Sequence, residues 1–470
     1  MTNHDAMLAS PEAAADLLGR LPDLEQALAF YHRHLASRTA IDLSVAENIL
    51  VFEHSMQKKV FEDIKLIPET SIKYSASAGT PKLREQVADL LTLALGATVE
   101  GDDVFGVAGV SSALECVAFA LKGRDPVGPP LKDGDLVLLP APYWQGFNWS
   151  FEERPKLKCV PVNLPTTGPD RYRLTLAQIK QAYRDQTTPD RAPRLLVLTN
   201  PHNPLGVNYS RALLEEIYTW VLNETDMHII SDEIYCHSQL DSSTTKFTSA
   251  LALDAYREQP DRVHVVWGFA KDFGLSGFRT GFVVSQNTAV RRAMLGSDDP
   301  SEATHPLPWF TPFDSLKTYV IGELLSAPAD GPTSELYTTY AMREYSKLLS
   351  ASFRTVRAAL DAAGIEYVHH EGDNAAQFFW LDLTKYLGKR PDHSHEEDAG
   401  PMSLGAHGLD PDEERLFDYL RAKPTEVSLL PGGVMHNSVP GYFRLCYTAR
   451  QPEEVRAAVQ RVGKALGQLK

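Results

Sequence analysis

Two apolar patterns share most of the chain. Short, largely apolar runs, at Leu136–Leu139, Leu195–Thr199, His228–Ile230, Val263–Trp267 and Gly281–Ser285, predict strands. Leu83–Leu95 and Ser112–Leu121 instead carry apolar residues at helical spacing. Helices alternating with such runs predict an α/β unit on a mostly parallel sheet. The charged, periodic stretch Ser334–Ala363 predicts a long helix leading to a smaller α+β unit, with strand-like Phe378–Leu383 and Gly441–Thr448 and a terminal helix from Glu453. Upstream, Ser10–Ala36 gathers Leu17, Leu18, Leu21, Leu24, Leu28 and Tyr31 on one side of an amphipathic arm. Gly388–Asp412, rich in Asp, Glu, His, Gly and Pro, reads as a solvated surface loop. The expected division is 1–54 for the arm and part of the small domain, 55–330 for the large domain and 331–470 for the small C-terminal domain.

Charge narrows the choice of partners. The 470 residues carry a formal net charge of −15, which argues against nucleic acid and anionic membranes. An anionic ligand must then be held by a few local cations and helix ends. No apolar run reaches the ~18 residues a membrane helix needs. The start, with His4 and Asp5, shows no secretory signal pattern, so the cytoplasm is the expected location. Cys116, Cys159, Cys236 and Cys446 form no Cys-x-x-Cys pair and are expected to be buried free thiols. His393 and His395 have a ligand-like spacing but sit in the acidic loop, and no metal is expected.

Three separated segments carry the chemistry: Leu198–Gly206 (Leu-Thr-Asn-Pro-His-Asn-Pro-Leu-Gly), Ile229–Tyr235 (Ile-Ile-Ser-Asp-Glu-Ile-Tyr) and Trp267–Arg279 (Trp-Gly-Phe-Ala-Lys-Asp-Phe-Gly-Leu-Ser-Gly-Phe-Arg). Each follows or ends an apolar strand, where ligands of parallel α/β sheets sit. Together they supply what pyridoxal 5′-phosphate (PLP) needs. Lys271 is the amine that binds its aldehyde and later moves a proton. Asp232 is the anion for the ring nitrogen. Asn203 and Tyr235 are donors for the phenolic oxygen, and Arg279 is a planar fork for phosphate. Gly109-Val-Ser-Ser opens a helix whose free N–H groups, at Val110 and Ser111, suit an anion. Trp144 can stack on the ring. Arg444, a cation inside an apolar strand, calls for an anion such as a substrate carboxylate. Taken singly, each has an ordinary alternative: a solvated lysine, a turn or cap at Asp232, a structural ion pair at Arg444, plain core at Trp144. Their joint order and local spacing favour the cofactor site.

These residues resemble the fold-type I PLP enzymes of the aspartate aminotransferase superfamily. Tyr74-x5-Thr-Pro-x-Leu-Arg84, Asn203-Pro-Leu-Gly206, Asp232-Glu-Ile-Tyr235, Lys271-x7-Arg279 and Arg444 match in order. The chain is most similar to the 1-aminocyclopropane-1-carboxylate synthase branch through Ala46-Glu-Asn48, Pro142-Tyr-Trp-x-Gly-Phe147 and Pro440-Gly-Tyr-Phe-Arg-Leu-Cys446. The resemblance implies a homodimer with Tyr74 reaching the neighbouring phosphate, Arg444 holding the substrate carboxylate, and Glu47 in the segment lining the substrate pocket. The chain departs from the family at Gly268 and Ala270, where serines are usual, and at Ser77-Ala-Gly-Thr80, where the synthase branch has Tyr-His-Gly-Leu. The expected activity is transamination of an α-amino acid. The alternatives are synthase-like elimination or C–S lysis in secondary metabolism, and a non-enzymatic PLP-binding regulator. The last would need a basic nucleic-acid-binding segment that the chain does not show.

Overall fold

The computed structural model describes residues 41–63, 68, 71, 73, 76–123, 127–296, 313–328, 335–390 and 409–469. The arm expected at Ser10–Ala36, His393 and His395 lie outside them.

In chain order the strands are β1 (Ile41–Asp42), β2 (Val104–Val107), β3 (Leu136–Ala141), β4 (Lys158–Asn163), β5 (Pro193–Thr199), β6 (His228–Asp232), β7 (Val263–Gly268), β8 (Gly281–Val284), β9 (Glu366–Val368), β10 (Phe378–Asp382), β11 (Val427–Ser428), β12 (Leu430–Pro431) and β13 (Tyr442–Cys446). The helices used below are α1 (Pro81–Leu95), α2 (Val110–Lys122), α3 (Leu176–Gln186), α4 (Arg211–Glu224), α5 (Tyr337–Ala362), α6 (Pro411–Arg421) and α7 (Pro452–Leu466).

Seven strands form one sheet in the order β2-β8-β7-β6-β5-β3-β4. The ladders from β4 to β7 are parallel, and β8 runs antiparallel to both its neighbours. Apolar residues cover both faces because successive side chains point to opposite sides. Leu138, Leu196, Leu198, Ile229, Val265 and Trp267 join one core cluster. Val137, Leu139, Leu195, Val197, Ile230 and Val266 join another. Two-sided burial is why these strands are largely apolar and show no strict apolar–polar alternation.

A second sheet, β12-β13-β10-β9, is antiparallel throughout. Helix α5 packs against α7 beside it. The long helix expected at Ser334–Ala363 is α5, and the C-terminal helix expected from Glu453 is α7. The loop expected to run to Asp412 ends earlier, because Asp410 caps α6 by accepting from the Asp412 and Glu413 backbone N–H groups.

The segment after β1 stitches the two sheets together. β1 pairs with β11, and Leu43 O accepts from Cys446 N at 2.8 Å. Glu47 O accepts from Thr448 Oγ1 at 2.6 Å. Asn48 Nδ2 donates to Lys271 O at 2.8 Å, on the far side of the cleft.

Candidate active site

The carboxyl ends of β5, β6 and β7 open onto a cavity of about 220 Å³. Its wall brings together Val110, Ser111, Trp144, Asn203, Asp232, Tyr235, Lys271, Arg279 and Arg444, which the sequence nominates from well-separated segments. Glu47 is not part of that wall; its carboxylate accepts from Ser276 Oγ at 2.6 Å. Tyr74 lies outside the described residues.

Lys271 follows β7 by three residues, and its loop is held rigidly. Asn48 and Gln377 both donate to its carbonyl, at 2.8 and 3.2 Å. The next residue, Asp272, is fully buried and accepts from Ser238 Oγ at 2.6 Å and His237 N at 2.9 Å. Burial pushes the Asp272 carboxyl up to about 7. Lys271 Nζ donates to Ala46 O at 2.6 Å. Burial lowers the pKa of this amine from its ordinary value, against an opposing pull from Glu47.

Asp232 ends β6 and is also buried. Among the described residues its oxygens accept from Ile234 N at 3.3 Å and Thr199 Oγ1 at 3.5 Å. Burial raises its carboxyl to about 7, and these hydrogen bonds and the Lys271 charge oppose the shift. Tyr235 packs edge-on to Phe378, and burial pushes its hydroxyl well above the usual tyrosine range.

Arg444, in β13, donates from Nη1 to Asn203 Oδ1 at 2.8 Å and from Nη2 to Ser44 O at 2.6 Å. Its guanidinium lies over the Phe378 ring, 4.6 Å from the centroid. Arg279 sits at the cavity's other end in the left-handed region, at φ 52°, and donates to Ser276 O at 2.9 Å.

A test of fit to PLP comes from the glycines. Gly109, at φ 92°, begins α2, and no side chain caps that end. A Cβ there would come within 2.7 Å of the Arg279 guanidinium, so only glycine lets Arg279 lie against the helix N-terminus. Gly281 has the same constraint: its Cβ would meet the Gly109 backbone at 2.6 Å. A cation therefore sits beside uncapped N–H groups, a combination suited to a phosphate. Gly268 explains a departure from the family pattern. A Cβ there would come within 2.5 Å of Thr280 O, so the usual serine has no room. The donors left for a phosphate at this end would be the α2 N–H groups, Ser111 and Arg279. The residues present fit the cofactor.

The profile described as "Aminotransferase class I and II" matches residues 38–462. The chain belongs to the class I and II aminotransferases. Members of this superfamily are PLP-dependent, and PLP is the cofactor of this fold. A squash (Cucurbita pepo) protein named 1-aminocyclopropane-1-carboxylate synthase 1 is 27% identical over 441 residues, which are 90% of this chain and 77% of that protein. A mouse protein named probable inactive 1-aminocyclopropane-1-carboxylate synthase-like protein 2 is 33% identical over 270 residues, 56% of this chain and 44% of its own. The crystal structure of an aromatic aminotransferase from Pyrococcus horikoshii shares the fold, with a TM-score of 0.64 at 22% identity, covering 92% of this chain and 96% of that one. The aminotransferase-superfamily resemblance, its synthase-like branch and the α/β fold-type I architecture all stand on these matches.

The cavity wall also includes Ser44, Val45, Ala46, Gln145, Ile234, Ala270 and Leu430, which sequence reasoning did not assign to the site. Ile234 and Ala270 adjoin nominated residues. Gln145 is the unspecified position inside Pro-Tyr-Trp-x-Gly, and Ser44–Ala46 adjoin the quoted Ala46-Glu-Asn48.

Proposed function

We propose that this aminotransferase-family protein is a PLP-dependent transaminase of a small α-amino acid. The observation that carries the reading is the convergence of Lys271, Asp232 and Arg444 on one cavity. Bound PLP supplies an electron sink for a carbanion at the substrate Cα. Asp232 pairs with the ring nitrogen and keeps it protonated. Asn203, whose Oδ1 is held by Arg444, keeps its amide N–H groups for the phenolic oxygen. The Val110 and Ser111 end of α2, with Arg279, holds phosphate. Arg444 receives the α-carboxylate in a dry setting where an ion pair is strong. Lys271 Nζ takes the Cα proton, and its lowered pKa makes more of it neutral and basic near pH 7. The reading carries with it a cytoplasmic homodimer in which Tyr74 reaches the neighbouring subunit's phosphate.

A second reading, elimination or C–S lysis, is supported by the synthase names of the relatives. Against cyclopropane formation from a sulfonium substrate stands Ser77-Ala-Gly-Thr80, where the synthase branch carries Tyr-His-Gly-Leu.

The test is product analysis on an amino-acid panel with and without a keto-acid acceptor. Acceptor-dependent turnover is expected. Ammonia with pyruvate or 2-oxobutyrate, released without acceptor, would replace transamination by elimination. Lys271→Ala should lose both turnover and the visible absorbance of PLP-loaded protein; retention of both would remove the central assignment.

A further inference from the structure

We propose that Asp272 is a positioning residue whose carboxylate locks the loop carrying the Lys271 amine to the turn carrying Asp232 and Tyr235. The inference rests on the assignment of Lys271 as the base in the transaminase reading.

Asp272 is fully buried, and among the described residues no cation pairs with it. A buried carboxylate without a cation costs stability, so folding alone does not account for it. Its partners are neutral donors. Oδ1 accepts from Ser238 Oγ at 2.6 Å, and Oδ2 accepts from His237 N at 2.9 Å and Cys236 Sγ at 3.8 Å. Burial raises its pKa, and these three contacts oppose the rise.

The hydrogen bonds behind Ser238 run in one direction. Lys271 O is a carbonyl and only accepts, so the Gln377 amide reaches it through an N–H, at 3.2 Å. The same nitrogen donates to Tyr345 OH at 2.8 Å. The tyrosine proton is then left for Ser238 Oγ, 2.8 Å away, and the serine proton for Asp272. A chain of donors thus runs from Gln377, just before β10, through Tyr345 of α5 to the carboxylate. A proton on Asp272 would meet Ser238 or His237, both already donating. The ionised carboxylate is the form this chain fits.

Position gives the arrangement its use. Cys236, His237 and Ser238 continue the turn that holds Asp232 and Tyr235, the residues assigned to the cofactor ring. Ser238 N donates to Tyr235 O at 2.8 Å, so the two ends of that turn move together. Asp272 adjoins Lys271. One carboxylate therefore bridges the amine-bearing and the ring-bearing segments. Phe269 and Phe273, both fully buried with ring centroids 4.8 Å apart, anchor the same loop by packing. The loop keeps that support without Asp272. What the carboxylate adds is the aim of the amine at the substrate Cα, where a misplacement of ~1 Å costs on the order of 100-fold in rate.

The experiment compares PLP-loaded wild type with Asp272→Asn and Ser238→Ala on the panel amino acid that wild type turns over fastest, Cα-protiated and Cα-deuterated. Asp272→Asn should lower kcat by roughly 10- to 100-fold with KM within about twofold. The deuterium isotope effect on kcat should rise above wild type, because proton transfer becomes the slow step. Ser238→Ala should show the same split more weakly, and the double variant should lose little more than Asp272→Asn alone. In PLP-free protein, amide hydrogen exchange across residues 270–279 should quicken in Asp272→Asn while β5 and β6 exchange as in wild type. Unchanged kcat and isotope effect in a folded, loaded Asp272→Asn overturns the proposal, and so does a lower urea midpoint with neither of them altered. If Asp272→Asn does not fold, Ser238→Ala decides by the same readings. Wild type that turns over no panel member overturns the transaminase reading. The lock is then judged on exchange alone, and unchanged exchange across residues 270–279 removes it.

Discussion

On the proposed reading, the two ends of the cavity would hold anions by different means. At the carboxylate end Arg444 is 3% exposed, set in a strand and fixed by two neutral oxygens and an aromatic face. At the phosphate end Arg279 is exposed, carried on a loop in the left-handed region, and shares its task with a helix N-terminus. The buried cation is pre-aimed and works where the dielectric is low. The exposed one is screened by water and salt, and its strength is pooled with backbone N–H groups. In that reading, the end that would recognise each substrate afresh is the stiffer, and the end that would keep a resident group spreads its hold over several weaker donors.

Removing the stiff cation should have the largest effect. Arg444→Leu should cost about 3–5 kcal/mol in kcat/KM, because it strands a substrate carboxylate in a dry pocket. Steady-state kinetics checks this, with PLP absorbance as the control. An unchanged kcat/KM would dissolve the contrast between the two ends. Arg279→Gln should do less. PLP titration should show binding weakened by about 1.5–3 kcal/mol, the range for a hydrogen bond to a charged group. Added chloride should weaken the wild type more than the variant. At saturating PLP the variant's kcat/KM should stay near wild type, so the two arginines separate into a substrate effect and a cofactor effect.

The same contrast governs what could be read from the sequence. Local motifs were legible because each stands at the end of an apolar run: Asp232 terminates β6, Lys271 follows β7 and Gly109 opens α2. The partners that tune them were not. Ser44 O meets Arg444 across 400 residues and Ala46 O meets Lys271 across 225, separations that no periodicity reports. Gly268 reads as a lost phosphate ligand until β8 is placed beside it and Thr280 O is seen to fill the space. Among the elements, α3 and α4 went unrecognised although Thr175 with Gln178 forms a capping box and Ser210 caps α4. α3 buries only Ile179, too thin an apolar stripe to stand out. β4 is an edge strand interrupted by Pro161, which suits an edge and weakens the strand pattern.

Between the two ends lies Asp232, and it yields the smallest effect. Its folded-state carboxyl is raised from the ordinary 3.8 to about 7 by burial. The folded protein without cofactor therefore keeps a proton that the unfolded chain releases. Stability contributed at this position is fully present below pH ~4 and declines as pH rises through about 7. Asp232→Asn has nearly the same shape and never ionises, so it removes this decline. In PLP-free protein the variant should gain on wild type by about 1–2 kcal/mol between pH 5 and 8, a value tempered by relaxation around a buried charge. Urea midpoints at the two pH values measure it. Addition of PLP should reverse the sign. A ring cation gives the wild-type carboxylate a partner that asparagine cannot match, so wild type should become the more stable of the two and bind PLP more tightly. If the variant stays ahead with PLP present, Asp232 does not face the ring, and the cavity has no charged middle to set against its two ends.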